Sequence, residues 1–392
     1  MKSVKQKILL FGPIGDFGGR ELESGFIASV LSSKYEVTIC STGNISKKSQ
    51  VFDFNKNQRV IGVKELLGSR FFDLKLFAFL SFLKNGCKGK VSDFVNNSFA
   101  KRFLDYDRKV QIVLEHLIID FDAIFVVAQL SSGLVSDVIK LAKSNNKKVL
   151  FRTTGTITFA DYDFINSVDC FIHHSQNNAK QIENKRKHKF VIIDQCAYNE
   201  IDLLKVPPVN HEVKKFLTLA RLEKEKNVDE VIKAFLKVKS DDDVLYVVGD
   251  GTEIQNLKRI AENEKSVIFT GFIKNHDLYQ YFSEVDCIII PYYKLETGPL
   301  TGIEAMASAR IIISTRTGAM PERMDGTLND FWFDYNNFES FKEVFSKVKS
   351  LDKIQIHNLS KSLQERYKEE YSIYKIGNNY QNVIHKVLDQ CD

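Results

Sequence analysis

Short apolar runs alternate with amphipathic stretches along the chain, and the alternation runs through twice. In the first half, strands are predicted at Lys7–Phe11, Tyr35–Cys40, Ala123–Ala128, Lys148–Arg152, Cys170–His173 and Phe190–Ile193. Helices are predicted over Arg20–Leu31, Phe71–Leu83, Phe99–Ile119, Gly133–Ser144 and Ser175–Asn184. The second half restarts with strands at Lys215–Ala220, Val244–Val248, Ser266–Thr270, Asp286–Pro291, Arg310–Ser314 and Phe331–Phe333. Its helices fit Val228–Lys239, Glu253–Asn263, His276–Ser283 and Pro299–Ala307, and a Lys-, Glu- and Tyr-rich helical tail runs from Leu351 to Leu388. Strands this apolar, separated by helices, read as parallel sheets covered on both faces. The fold class is therefore α/β: two Rossmann-like, doubly wound domains facing each other across a cleft, with ligands at the C-terminal ends of the strands. Val206-Pro-Pro-Val-Asn210 is the best linker, because two prolines break regular structure. The expected division is 1–206, 207–371 and a final helix, 372–392, packing back toward the first domain.

At 392 residues, 44% of them hydrophobic, the chain can fill two separate cores. No apolar run reaches the roughly 20 residues needed to cross a bilayer. The opening Met1-Lys-Ser-Val-Lys-Gln-Lys leads into a strand too short for the apolar core of a signal peptide. The six cysteines are scattered with no close pair, which fits reduced thiols in a cytoplasmic protein better than a zinc site or disulfides. The net charge of +5 is uneven: residues 1–208 carry 30 Lys/Arg against 21 Asp/Glu, or +9, leaving −4 for the remainder. A basic first half suits a phosphate-bearing acceptor or an anionic membrane surface, although scattered solvated lysines read equally well. The Phe-dense run Phe71–Leu83 is followed by Lys84, Lys88 and Lys90. It reads either as a helix lying in a membrane interface or as a buried helix of the first domain.

The stretch Pro291-Tyr-Tyr-Lys-Leu-Glu296-Thr-Gly-Pro-Leu-Thr-Gly-Ile-Glu304 places two glutamates eight residues apart. Glu296 falls in a strand-to-helix loop and Glu304 inside the helix. Loop amides and a helix N-terminus form a site for phosphate, while carboxylates accept hydrogen bonds from sugar and ribose hydroxyls. That combination points to a nucleotide-sugar. Other segments repeat the strand-then-turn pattern. The turn Gly12-Pro-Ile-Gly15-Asp-Phe-Gly18-Gly19 opens the first helix, where glycines let amides approach an anion. Arg221 and Lys226, after the first strand of the second half, can clamp a diphosphate. Gly249 and the pair Gly271-Phe272 close two further strands. They read as ordinary turns or as donor-side contacts, with Phe272 or its backbone toward a nucleobase. His173 and His174 are adjacent in a strand, so they point to opposite faces and read as structural. Four Asp-x-Asp pairs, at Asp105/Asp107, Asp120/Asp122, Asp161/Asp163 and Asp241/Asp243, fall outside the predicted nucleotide site, and no metal site is expected.

Over residues 215–322 the ordered motifs resemble retaining glycosyltransferase family 4, the glycosyl transferases group 1, with the GT-B fold. They are Arg-x4-Lys, Gly-Asp-Gly, Thr-Gly-Phe, Glu-x7-Glu-Ala-Met-Ala and Gly318-Ala-Met-Pro-Glu322. The resemblance implies that Arg221 and Lys226 hold the donor diphosphate and that Glu296 contacts the transferred sugar. It implies that amides near Gly298, Leu300 and Thr301 line the sugar–phosphate site and that Glu304 binds the ribose. Gly18 and Gly19 would approach the diphosphate from the other domain. Three positions depart from the pattern. Thr154 stands where a His is usual, Ala319 replaces the second glycine of a Gly-Gly pair, and Ala309 stands where a Gly is expected. The implied activity is metal-independent, retaining hexosyl transfer from a nucleotide diphosphate-sugar to a glycan or lipid-linked glycan in bacterial surface polysaccharide synthesis. Peripheral contact with an anionic membrane is part of this reading, and nucleic acid is not. The rival readings are a GT-B sugar-nucleotide epimerase and a catalytically silent subunit that binds a partner transferase. The intact set Arg221, Lys226, Glu296 and Glu304 argues against silence.

Overall fold

The structure, a computed structural model, describes residues 5–157, 161–184, 186–262, 264–293 and 296–389. Cys391 lies outside them. The chain forms two compact units. The first holds the residues through His173, then Ala179–Ile193 and the segment from Gly377 on. The second holds His174–Asn178 and Asp194–Ile376.

The first unit runs β1 (Lys7–Gly12), α1 (Gly19–Ser32), β2 (Glu36–Ser41), β3 (Arg59–Gly62), α2 (Val63–Arg70), α3 (Phe72–Lys84), α4 (Ser98–Phe103) and α5 (Tyr106–Ile119). It continues with β4 (Ala123–Ala128), α6 (Val135–Ser144), β5 (Lys148–Thr153), β6 (Cys170–His173), α7 (Gln176–Glu183), whose first three residues belong to the second unit, and β7 (Phe190–Ile192). The seven strands lie parallel in the order β3-β2-β1-β4-β5-β6-β7. The order reverses direction between β1 and β4, which makes the C-terminal ends of those two strands the natural ligand crevice of this sheet. Every residue of β4 is buried, as the unbroken apolar run requires of a central parallel strand.

The second unit runs α8 (Glu200–Leu203), β8 (Lys215–Leu219), α9 (Val228–Val238), β9 (Val244–Val248), α10 (Ile254–Ile260), β10 (Val267–Gly271), α11 (Leu278–Glu284) and β11 (Cys287–Ile290). It continues with α12 (Leu300–Ala307), β12 (Ile311–Ser314), α13 (Met320–Met324), α14 (Phe338–Lys349) and α15 (Lys353–Glu370). Five parallel strands lie in the order β10-β9-β8-β11-β12, with the switch between β8 and β11. Amphipathic helices cover the sheet: α9 buries Val228, Val231, Ile232 and Phe235, the spacing of one helical face. Phe216 of β8 stacks on Phe345 of α14 with ring centroids 4.7 Å apart. The last helix, α16 (Ile373–Asp389), crosses the boundary in sequence. Within the first unit its Tyr380 packs edge-on to Phe26, and its Gly377 lets the Val30 side chain come within contact distance.

Several expectations are corrected. The proline pair is not a free linker but part of the second unit. Val206 and Val209 are buried, the Val209 amide donates to Ser360 Oγ at 2.9 Å, and the Arg310 guanidinium bonds the Pro207 carbonyl. The prolines there stiffen a packed segment. Phe331–Phe333 forms no strand, only an isolated bridge from Trp332 to Ser314. The polar Asp334-Tyr-Asn-Asn337 turn that follows offers no further ladder partner. The predicted helix Phe99–Ile119 is two helices, because Asp105 adopts a left-handed conformation with φ of 47°. The Phe-rich helix is not the fully buried helix that one of the two readings expected. α3 buries Leu74 and Ala78 on one side, while Phe72, Leu76, Phe79, Leu80 and Leu83 are exposed on the other. Phe99 and Phe103 of α4 extend that exposed stripe, with Phe99 stacked on Phe77. Among the described residues, no helix is long and apolar enough to cross a membrane.

The structural reading of the histidines holds for His173. Its Nδ1 meets Thr153 Oγ1 at 2.9 Å, its Nε2 meets His188 Nε2 at 2.9 Å, and burial holds its pKa well below the usual range. Asp161 and Asp163 both pair with Arg186, and the Asp243 carboxylate pairs with Lys349.

Candidate nucleotide-sugar site

The site is built at the C-terminal ends of β8 and β11, where the strand order of the second sheet reverses. Two side chains tie these ends together. Tyr292 Oη and Thr301 Oγ1 both donate to the Leu219 carbonyl, at 2.7 and 3.2 Å. The loop after β8 is thereby fixed beside the first turn of α12. That loop carries Arg221 and Lys226, and a left-handed Asn227 with φ of 56° then starts α9. Lys226 Nζ donates to Glu296 Oε2 at 2.6 Å and sits 4.7 Å above the Tyr292 ring. Both side chains are four-fifths or more buried. Arg221 is exposed, and among the described residues no carboxylate forms an ion pair with it.

Glu304 is the fifth residue of α12 and is 1% exposed. Burial pushes its carboxyl up to about 7, against the lowering effect of the Asn275 amide, which donates to Oε1 at 2.8 Å. Leu300 and Thr301 open the same helix, and first-turn amides have no intrahelical acceptor. Pro299 is the residue before the helix, extended with φ of −64°, rather than its first member.

Gly298 is required because Arg323 lies behind it. A Cβ there would come within 2.9 Å of Arg323 Nη2. Arg323 is fully buried and grips both Asp194 carboxylate oxygens at 2.7 Å through Nε and Nη2, while Nη1 donates to the Pro299 carbonyl at 2.6 Å. It therefore holds the turn that presents Gly298 and the α12 N-terminus. Gly318 serves the same turn. It has φ of +48°, and a Cβ would collide with the Glu296 and Thr297 carbonyls. Ala319 sits just after it with ordinary helical φ, so a second glycine is not needed there. Ala309, by contrast, is held left-handed with φ of 55°. Glu322 accepts the Gln176 and Asn177 amides at 2.9 Å each.

Lys226, Glu296, Gly298, Leu300, Thr301 and Glu304 are therefore brought together around one strand-to-helix loop, with Arg221 on the facing one. Gly249 and Gly271 end the adjacent strands β9 and β10, joined by a Gly249 amide to Gly271 carbonyl bond of 3.0 Å. Gly249 is needed for close approach, since a Cβ would overlap the Ala220 carbonyl, and Gly271 has φ of +74°. Phe272 is exposed. Gly18 and Gly19 belong to the first unit, at the start of α1. The Gly18 amide already donates to Gln50 Oε1 at 2.8 Å, and Glu21 Oε1 accepts the Gly15 amide at 2.8 Å. Thr154, also in the first unit, accepts from Arg20 Nε at 3.1 Å. The sequence reading did not single out Asn275, Tyr292, Asp194 or Arg323 as part of the site. Each acts through a partner distant in sequence, and the only local signal is that Arg323 directly follows the motif ending at Glu322.

Residues 200–369 match the family described as Glycosyl transferases group 1. This region belongs to the group 1 glycosyltransferases. Across 190 residues the chain is 30% identical to the alpha-monoglucosyldiacylglycerol synthase of Streptococcus pneumoniae (strain ATCC BAA-255 / R6), a match covering 44% of this chain and 42% of that relative. Two solved structures extend the likeness to the whole chain. A glycosyltransferase from Rickettsia africae ESF-5 superposes with TM-score 0.73 at 17% identity, covering 99% of this chain and all of that one. Anabaena Alr3699/HepE in complex with UDP-glucose gives TM-score 0.71 at 12% identity over 97% and 99% of the two chains. The group 1 region is thus the second half of a GT-B fold, built from two Rossmann-like parallel sheets.

Proposed function

We propose that this protein is a retaining glycosyltransferase that moves a hexosyl unit from a nucleotide diphosphate-sugar to a glycan or lipid-linked glycan, without a metal ion. One observation carries the reading: a cation, a carboxylate, the first amides of a helix and a second, buried carboxylate converge at one sheet switch point. Each element matches one part of the donor. Lys226 and Arg221 neutralise the diphosphate, Glu296 accepts from the sugar hydroxyls, the amides of Leu300 and Thr301 meet the phosphate, and Glu304 accepts from the ribose. Gly249, Gly271 and Phe272 border the nucleoside. The UDP-glucose complex of Alr3699/HepE and the lipid-acting Streptococcus pneumoniae synthase support this class of donor and acceptor.

In the proposed reaction the bond from the sugar's anomeric carbon to the phosphate oxygen breaks. A bond from that carbon to the acceptor oxygen forms on the same face. The acceptor proton passes to the departing phosphate oxygen, so no protein nucleophile is needed, and Thr154 in place of a histidine does not prevent the reaction. Neutralising the negative charge that builds on the leaving diphosphate, the task given to Lys226 and Arg221, is the largest electrostatic requirement. The pathway we propose is bacterial surface polysaccharide or glycolipid synthesis at the inner face of the membrane.

Calorimetric titration with UDP, GDP, ADP and dTDP and their glucose esters tests the donor. At least one pair is expected to bind, and binding of none rejects the reading. The pH dependence is a sharper check. A carboxyl raised to about 7 is mostly neutral at pH 6 and ionised at pH 8, and the ribose hydroxyls need the ionised form as acceptor. Affinity for the nucleotide-sugar is expected to rise about tenfold from pH 6 to pH 8. Glu304→Gln is expected to bind weakly and to flatten that slope.

The membrane part of the reading rests on the exposed stripe of α3 and α4. Residues 72–102 carry six Lys/Arg and two Asp, a net +4 beside the exposed phenylalanines. Each basic residue near an anionic surface contributes about 1 kcal/mol, screened by salt. Co-sedimentation with phosphatidylglycerol vesicles is expected at low salt and loss at high salt. A protein that stays in the supernatant at low salt rejects membrane contact.

A further inference from the structure

Lys226, the cation assigned to the diphosphate, is already occupied. Its ammonium lies 2.6 Å from Glu296 Oε2 and 4.7 Å from the centre of the Tyr292 ring. Tyr292 is itself 6% exposed and pinned by its hydroxyl to the Leu219 carbonyl at 2.7 Å, so the ammonium rests on a rigid seat. The Glu296 backbone is fixed as well, its amide donating to the Tyr293 carbonyl at 3.2 Å while Gly318 packs against its carbonyl. An arriving diphosphate must therefore share Lys226 with a carboxylate that cannot move far.

We infer that Glu296 is a selectivity residue that disfavours the free nucleoside diphosphate relative to the nucleotide-sugar, and so speeds release of the product. This rests on the donor reading above. The chemistry follows from what each ligand offers the carboxylate. A nucleotide-sugar brings hydroxyl donors that replace Lys226 as partners of Glu296, and its terminal phosphate is esterified. A free diphosphate brings no donors, and its terminal phosphate carries additional negative charge near neutral pH, since a phosphate monoester's second pKa is about 6. Glu296 then faces a like charge in a partly buried site with its counter-ion drawn away, which is the costly arrangement for a carboxylate. The same side chain thus favours the substrate and repels the product.

The test is calorimetry of the purified protein and of Glu296→Gln, which keeps the shape and removes the charge. UDP, GDP, ADP, dTDP and their glucose esters are the probes, and the pair bound best by the wild type is compared in both proteins. Glu296→Gln is expected to bind the free diphosphate about tenfold or more tighter than the wild type. Its affinity for the glucose ester is expected to be unchanged or lower, so the preference for the ester collapses. Equal or weaker binding of the free diphosphate by Glu296→Gln, with the wild type binding the ester, overturns the inference and leaves the donor reading standing. Failure of the wild type to bind any of the eight compounds overturns the donor reading, and the inference with it.

Discussion

Lys226→Ala is expected to turn over donor at least about 100-fold more slowly than the wild type, the scale of losing one preorganised transition-state donor. The charge matters most as the diphosphate departs, when negative charge gathers on the leaving oxygen beside the Lys226 ammonium. The fold is expected to survive. Lys226 lies in a short helical turn of the loop after β8, and its partner Glu296 keeps about a fifth of its side chain exposed, so water can take up the freed carboxylate. Steady-state kinetics at saturating donor, with a melting curve on the same sample, separates the two effects. Turnover within a few fold of wild type, with the melting temperature unchanged, would reject the assignment of Lys226 to the leaving group.

Arg323→Ala is expected to produce the largest loss of stability of any single change at the site, about 3–5 kcal/mol. Arg323 is fully buried and its pairing with Asp194 is bidentate, so truncation strands a carboxylate that is 7% exposed. The Pro299 carbonyl loses its donor as well, and the turn before α12 loses its support. Arg323→Lys is not expected to rescue, because a single ammonium cannot match both carboxylate oxygens and reach Pro299. Denaturant unfolding monitored on the second unit measures the loss. Adding Asp194→Leu to the alanine variant should recover part of it, since the stranded charge is then gone. A loss below about 1 kcal/mol in the single variant would mean that water reaches Asp194 and that the pair is not structurally required.

The sequence by itself determined the class of the fold and which strand-to-helix loops carry the candidate site residues. Runs such as Cys287–Ile290 can only be interior strands of a parallel sheet, and the alternation with amphipathic helices leaves little choice of layer order. The loop placement of Glu296 and the helix placement of Glu304 were legible for the same reason, since a strand, a proline and a helix-forming run follow one another directly. The short edge strand β3 and the helices α2, α8, α13 and α14 were not picked out, although α14 buries Phe341, Val344, Phe345 and Val348 in ordinary helical spacing. What only the tertiary structure decided were the pairings. Lys226 meets Glu296 across 70 residues of chain, and Arg323 meets Asp194 across 129. Such contacts depend on strand order and on which loops the sheet brings side by side, neither of which is encoded in local periodicity. The proline pair shows the same limit in reverse. Its composition reads as a junction, but Val206 and Val209 find buried neighbours, and their packing decides that the segment belongs inside the second unit. The exposed stripe on α3 was undecidable from sequence because an all-round apolar helix looks the same whether its outer face meets protein or solvent, and only the positions of Leu74 and Ala78 in the core reveal which side is left uncovered.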